Sequence, residues 1–256
     1  MTDGIANTTA VGIDLGPACD NESTGVLVAG RSAEGWKVQR DRAHWVRRRS
    51  TCQCNDFLAS AINAANVAVI DAPLVLGASK SWEHALRGCP DLTDSMKPTF
   101  SGGIAGHMWR AAALRPLIHP TVRLAEIFPA AWFWLCEFDP SVDWKGEDSA
   151  KPRKRQWFKN RIDDLKKMGI TVGYADQHAS ADDADALPCV LCAILISEQR
   201  ELLRLDDTTP PVLFPPRALW DARVPTSVRS LNWETWTNGV RAGGPRTSES
   251  RSDHAG

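Results

Sequence analysis

The amino-acid sequence predicts an α/β fold: a mixed sheet of five strands, three antiparallel and then parallel, flanked by helices and carrying a helical insert. Three observations predict it. Short apolar runs at residues 9–15, 25–29 and 36–39 follow one another at turn-length spacing, as a meander does. The run from Val67 to Asp71 comes after a helix-period segment and is apolar at its first four positions, which suits a central parallel strand covered on both faces. A second such run, from Val122 to Phe128, precedes two helical segments and continues the alternation.

Composition bounds the answer. The 256 residues, 43% of them hydrophobic, suffice for one sizeable core. We expect a single domain over residues 1–240, with the insert at about 75–120 and a disordered polar tail at 241–256. A formal net charge of -1 supplies no global field toward nucleic acid or membrane, so any polyanion site must be local. No run approaches membrane-spanning length, and no basic start leads into an apolar run. Seven cysteines without regular spacing argue against a disulfide framework and for a reducing compartment, hence a cytoplasmic protein.

In chain order, Thr9 to Leu15 is an apolar strand with one acid, Asp14, before Gly16 and Pro17. Gly25 to Ala29 and Trp36 to Gln39 supply the next two strands. The arginines from Arg40 to Arg49 read as a solvated edge, with phosphate contact as the lesser reading. Asn55 can cap a helix whose apolar face holds Phe57, Leu58, Ala61, Ile62 and Ala65. Val67 to Asp71 then ends in an acid and is stopped by Pro73, so Asp71 falls at the carboxyl edge of the sheet, where open α/β sheets bind ligands. In the insert, Trp82 to Arg87 and His107 to Leu117 are helical in pattern. The strand at 122–128 carries Glu126 near its end. Residues 138–150 read as an acidic loop, and Arg153 to Met168 as a basic amphipathic helix.

The helix expected at 182–204 begins Ala181-Asp182-Asp183-Ala184-Asp185. Asp182 and Asp185, three apart, share a face, while Asp183 is turned away by about 100°. Two carboxylates at the front of an apolar helix repel each other unless a cation lies between them, and Mg²⁺ or Mn²⁺ prefers such oxygen ligands. The same acids also suit a helix start, with Ser180 or Asp182 as N-cap. Pro188 lacks the N–H that should bond back to Ala184, so the helix either kinks there or starts later. Cys189 and Cys192 form a CxxC without a second pair, which reads as buried and inert rather than as a zinc or redox site. His178 precedes the acids, as a solvated loop histidine or an aid to proton transfer. Trp233 and Trp236 either pack over the sheet edge or stack on bases.

The ordered set VGIDLG, VIDAPL, AEIFPAA, a Lys/Arg helix and ADDADALPCVLCA resembles a family of predicted ribonuclease-H-like nucleases, domain-of-unknown-function family 429. The last motif is also similar to the helix of Holliday-junction resolvases. The resemblance covers roughly residues 10–200 and implies the ribonuclease-H-like fold. It implies Asp14, Asp71, Asp182 and Asp185 as ligands of Mg²⁺ or Mn²⁺ and as catalytic residues, with Glu126 a further catalytic candidate. Basic residues also occur in the family's corresponding helix region, here Lys151 and Arg161. With Lys154, Arg155 and Lys159 they are the expected phosphate contacts. The implied activity is hydrolysis of phosphodiester bonds in nucleic acid, DNA or RNA, by two metal ions. Two other functions compete. An actin- or sugar-kinase-like ATPase also starts from a GIDLG-like strand, but it needs a second Asp-Gly-Gly phosphate loop. A binding module of the same fold, for nucleic acid or protein, would keep the architecture without turnover.

Overall fold

A computed structural model describes residues 9–16, 24–40, 51–72, 74, 81–98, 105–144, 147–173 and 181–237. The side chains of residues 51–53, 105, 147–151, 181 and 182 lie outside that description. Its centre is a mixed sheet of seven strands, not the five expected, flanked by helices. Strands β1 (Thr9–Asp14), β2 (Gly25–Ser32) and β3 (Gly35–Arg40) form the expected antiparallel meander. On the other side of β1, strands β4 (Val67–Asp71) and β5 (Arg123–Ile127) run parallel to it. Two short strands extend the edges. β6 (Ile170–Val172) pairs with β3, and β8 (Val212–Leu213) with β5. The order across the sheet is therefore β6-β3-β2-β1-β4-β5-β8.

Period-two alternation divides the core between the two faces of the sheet. Val11, Ile13, Val26, Ala68 and Ile70 face helix α1 (Thr51–Asn63), through Leu58 and Ile62, and helix α3 (Ala105–Leu114), through Ala111 and Leu114. Ala10, Leu27, Ala29, Val67 and Val69 face the other layer. That layer holds α4 (Pro129–Cys136), α5 (Glu147–Lys167) and α6 (Ala181–Ser197). Every residue of α4 from Pro129 to Leu135 is buried, so this helix has no polar stripe at all. Helix α2 (Ser81–Arg87) lies in the insert. A second, two-stranded ribbon pairs β7 (Leu202–Arg204) with β9 (Glu234–Trp236), and a one-turn helix α7 (Thr226–Arg229) precedes β9.

Several expectations are corrected in detail. Asn55 is inside α1, not at its cap, and its Oδ1 accepts a hydrogen bond from Arg110 Nε at 3.3 Å. Helix α5 begins at Glu147, so part of the expected acidic loop is helical and Pro152 falls in an early turn. Helix α6 starts at Ala181 and passes through Pro188, then ends at Ser197, where a tight turn leads to β7 instead of further helix. Asp183 is the largest surprise. It is fully buried and takes both Nε and Nη2 of Arg40, the first at 3.0 Å. An ion pair this deep demands both partners. Arg40 is thus not part of a solvated edge, and residues 41–50 lie outside the described residues.

Helix α6 presses on β1 where the sequence has Gly12. A Cβ there would stand 2.1 Å from the Val190 nitrogen and 2.6 Å from its Cα. No side chain fits, and the backbones meet directly. This contact aligns the front of α6 with the carboxyl end of β1.

Candidate active site

Asp14 ends β1 and Asp71 ends β4, and the two are opposite each other in the parallel register. Glu126, one strand further, is opposite Ile70, one residue back from that line. The sheet thus presents three carboxylates at one edge without any help from loops. They line a cavity of about 300 Å³ together with Glu83, His107, Lys154 and Asp185. Trp82, Phe128, Pro129, Trp144 and Ile127 supply much of its wall. Trp82 packs against Phe128 and Phe214, each at 5.7 Å between ring centroids, while Trp144 stacks on Phe133 at 5.5 Å. These rings exclude water from one side of the acids.

The acids divide their tasks. Glu126, buried, accepts the Leu74 backbone N–H at 2.8 Å through Oε1, which holds the chain leaving β4. Asp185, on α6, accepts Lys154 Nζ at 2.6 Å through Oδ2. Lys154 reaches the cavity from α5, with its ammonium 5.7 Å from the centre of the Phe133 ring. Burial alone would lower the Lys154 pKa, but Asp185 and then Asp14 and Asp71 more than reverse this and leave it raised. Asp71 is pushed up to about 8, first by burial and next by Asp185, with Lys154 only partly compensating. Behind the site, burial and then Asp71, Asp14 and Asp185 raise the Cys189 thiol well above its usual range. Cys189 and Cys192 are free, buried thiols, inert at neutral pH as the sequence suggests. His107 is lowered by burial and by Arg110, which favours neutral imidazole.

Of the residues singled out from the sequence, Asp14, Asp71, Glu126, Lys154 and Asp185 come together. The side chains of Asp182 and Lys151, and His178 altogether, lie outside the described residues. The basic residues of α5 do not act as one group. Arg155 and Lys159 are exposed on a surface away from the cavity lining. Arg161 pairs with Asp164 at 3.2 Å and Glu137 at 3.6 Å, and borders a separate apolar cavity of about 170 Å³ with Trp157, Leu165 and Leu191. Glu83 and His107 were not anticipated. Both come from short helices of the insert, where no strand end or paired acid marks them.

The donors suit a hard divalent cation: they are carboxylate oxygens, and the value of about 8 at Asp71 marks negative charge in excess of the single ammonium. Among the described residues no three His, Cys, Asp or Glu side chains yet converge as a metal-binding group. Asp185 is engaged by Lys154 instead. Comparison with protein-family models, with curated proteins and with solved structures found no match.

Proposed function

We propose that this chain is a divalent-metal-dependent hydrolase of phosphodiester bonds in nucleic acid, with a ribonuclease-H-like fold. The observation that carries the reading is the pairing of Asp14 with Asp71 at the carboxyl ends of adjacent parallel strands, faced by Asp185 and Lys154. The strand order β3-β2-β1-β4-β5 supports the fold assignment, with β6 and β8 as additions at its edges. Bound Mg²⁺ or Mn²⁺ supplies an activated water and stabilises charge on the reacting phosphoryl group. Asp14 and Asp71 are the residues to hold it, joined by Asp185. Lys154 offsets negative charge gathering on the phosphate oxygens, in surroundings where a fixed charge acts strongly. The aromatic wall of Trp82, Phe128 and Trp144 keeps bulk water from the reacting bond. Glu126 fixes the strand-to-loop exit and acts through position.

The test is cleavage of a labelled panel of single- and double-stranded DNA, RNA, hybrid and branched duplexes, with Mg²⁺, with Mn²⁺ and with EDTA. At least one substrate should be cut with metal and none with EDTA. Asp14→Asn and Asp71→Asn should each lower the rate about a hundredfold or more, several kcal/mol of charge stabilisation being lost. Metal binding without cleavage of any member would favour the binding module instead.

A further inference from the structure

We infer that Lys154 takes the place of one of two cations in the carboxylate cluster, so that the site holds a single divalent ion beside a fixed ammonium. The inference rests on the metal-dependent reading above and departs from its two-ion form. Lys154 is only 15% exposed, and its Nζ is 2.6 Å from Asp185. The carboxylates whose charge it feels are Asp185, Asp14 and Asp71. Three carboxylates and one ammonium leave two negative charges, which one divalent ion neutralises. A second ion would leave positive charge in excess where the aromatic wall shuts out water, and uncompensated charge is costly there.

The lysine is also held in place. The next turn of α5 buries Trp157 and Phe158, and Trp157 packs edge-on to Phe133 at 4.8 Å between centroids. Phe133 is the same ring that the Lys154 ammonium overlies. The helix therefore cannot roll away without breaking the core. A compact ammonium suits this role better than a guanidinium, since it acts as a point charge.

The experiment titrates MnCl₂ into the full chain without substrate, read by calorimetry for stoichiometry and by electron paramagnetic resonance for spin coupling. Wild type should take one Mn²⁺ and give an uncoupled six-line spectrum. Lys154→Met should take two, with the exchange coupling of ions about 3.5–4 Å apart. Lys154→Arg, which keeps the charge, should still take one. Two ions in wild type, none in wild type, or one in Lys154→Met overturns the inference. Should Lys154→Met fail to fold, Asp185→Asn provides the second route. It removes one of three carboxylates and should weaken Mn²⁺ binding about tenfold, whereas unchanged affinity overturns the inference. The two readings fail separately. One ion in wild type and two in Lys154→Met, with no substrate cut, sinks the nuclease and leaves the lysine's role intact. Two ions in a wild type that cleaves nucleic acid does the reverse.

Discussion

Asp183 and Asp185 are two residues apart on α6, and burial separates their roles. Asp183 is fully enclosed with Arg40, so Asp183→Asn leaves a guanidinium without its counter-charge in the core. Breaking a buried pair from one side costs about 3–5 kcal/mol. For a domain of this size that is a fall in Tm of about 6 °C or more, measurable by calorimetry. Asp185→Asn, in the cavity, should affect cleavage far more than Tm. Asp71 gives a prediction in pH. Its carboxyl titrates at about 8 in the fold against an ordinary 3.8. Below pH 4 it is neutral in both states. Between 4 and 8 the unfolded chain has released a proton that the folded chain keeps, so stability falls as pH rises through that window. In EDTA, urea midpoints of wild type should therefore drop from pH 4.5 to 8 more steeply than those of Asp71→Asn. At pH 8 the variant should be the more stable protein. Parallel slopes for the two proteins would remove the basis for this assignment.

At the scale of elements, the contact of α6 with β1 sets the site. Gly12→Ala places a methyl group 2.1 Å from a backbone nitrogen that cannot swing aside. The helix must shift, at a cost of about 3 kcal/mol by the usual penalty for overpacking. Asp185 moves with the helix, so cleavage should fall more than Tm alone explains, and kinetics on the still-folded variant would reveal it. This contact also shows what the sequence could convey. Uninterrupted apolar strands closing on an acid made Asp14 and Asp71 legible, because a buried carboxylate after Val-Ala-Val-Ile has few other reasons to be there. The added strands β6 and β8 were not legible, since runs of three and two residues carry no periodicity. Asp183 was misread for a related reason. The helix period correctly turned it from Asp185, but that other face points into the core rather than to water. Lys154 looked like one more solvated lysine on a basic helix, and only the tertiary path of α5 places it over the acids.

In the molecule as a whole, the chain after α6 completes the core instead of trailing from it. Trp233 meets Phe214 and Trp220 edge-on, each at 5.1 Å, and donates its indole N–H to the Val228 carbonyl at 2.7 Å. Of the two sequence readings for this tryptophan, packing is the one observed. Trp233→Ala should cost about 2 kcal/mol, less than a fully buried tryptophan because the side chain is half-exposed. Truncation at residue 231 should cost more, since β9 and its ladder with β7 go as well. Removing residues 243–256, which lie outside the described residues, should leave Tm unchanged, and a loss of several degrees would show that they dock. No helix among the described residues is long and apolar enough to cross a membrane.

The parallel register of β1 and β4 works as a gauge. The Cα atoms of Asp14 and Asp71 are opposite each other because the ladder behind them is, so their separation follows the strand spacing of about 4.8 Å. No loop or rotamer can widen it. Chemistry at this edge is therefore adjustable only in reach. Asp14→Glu or Asp71→Glu advances one carboxylate by a single methylene while the scaffold stays still. Such variants form a vernier, on which the ion's preferred position can be read in steps smaller than any backbone change allows. Refashioning the site for another substrate would instead fall to α2, α5 and the other walls, which the sheet leaves free to vary.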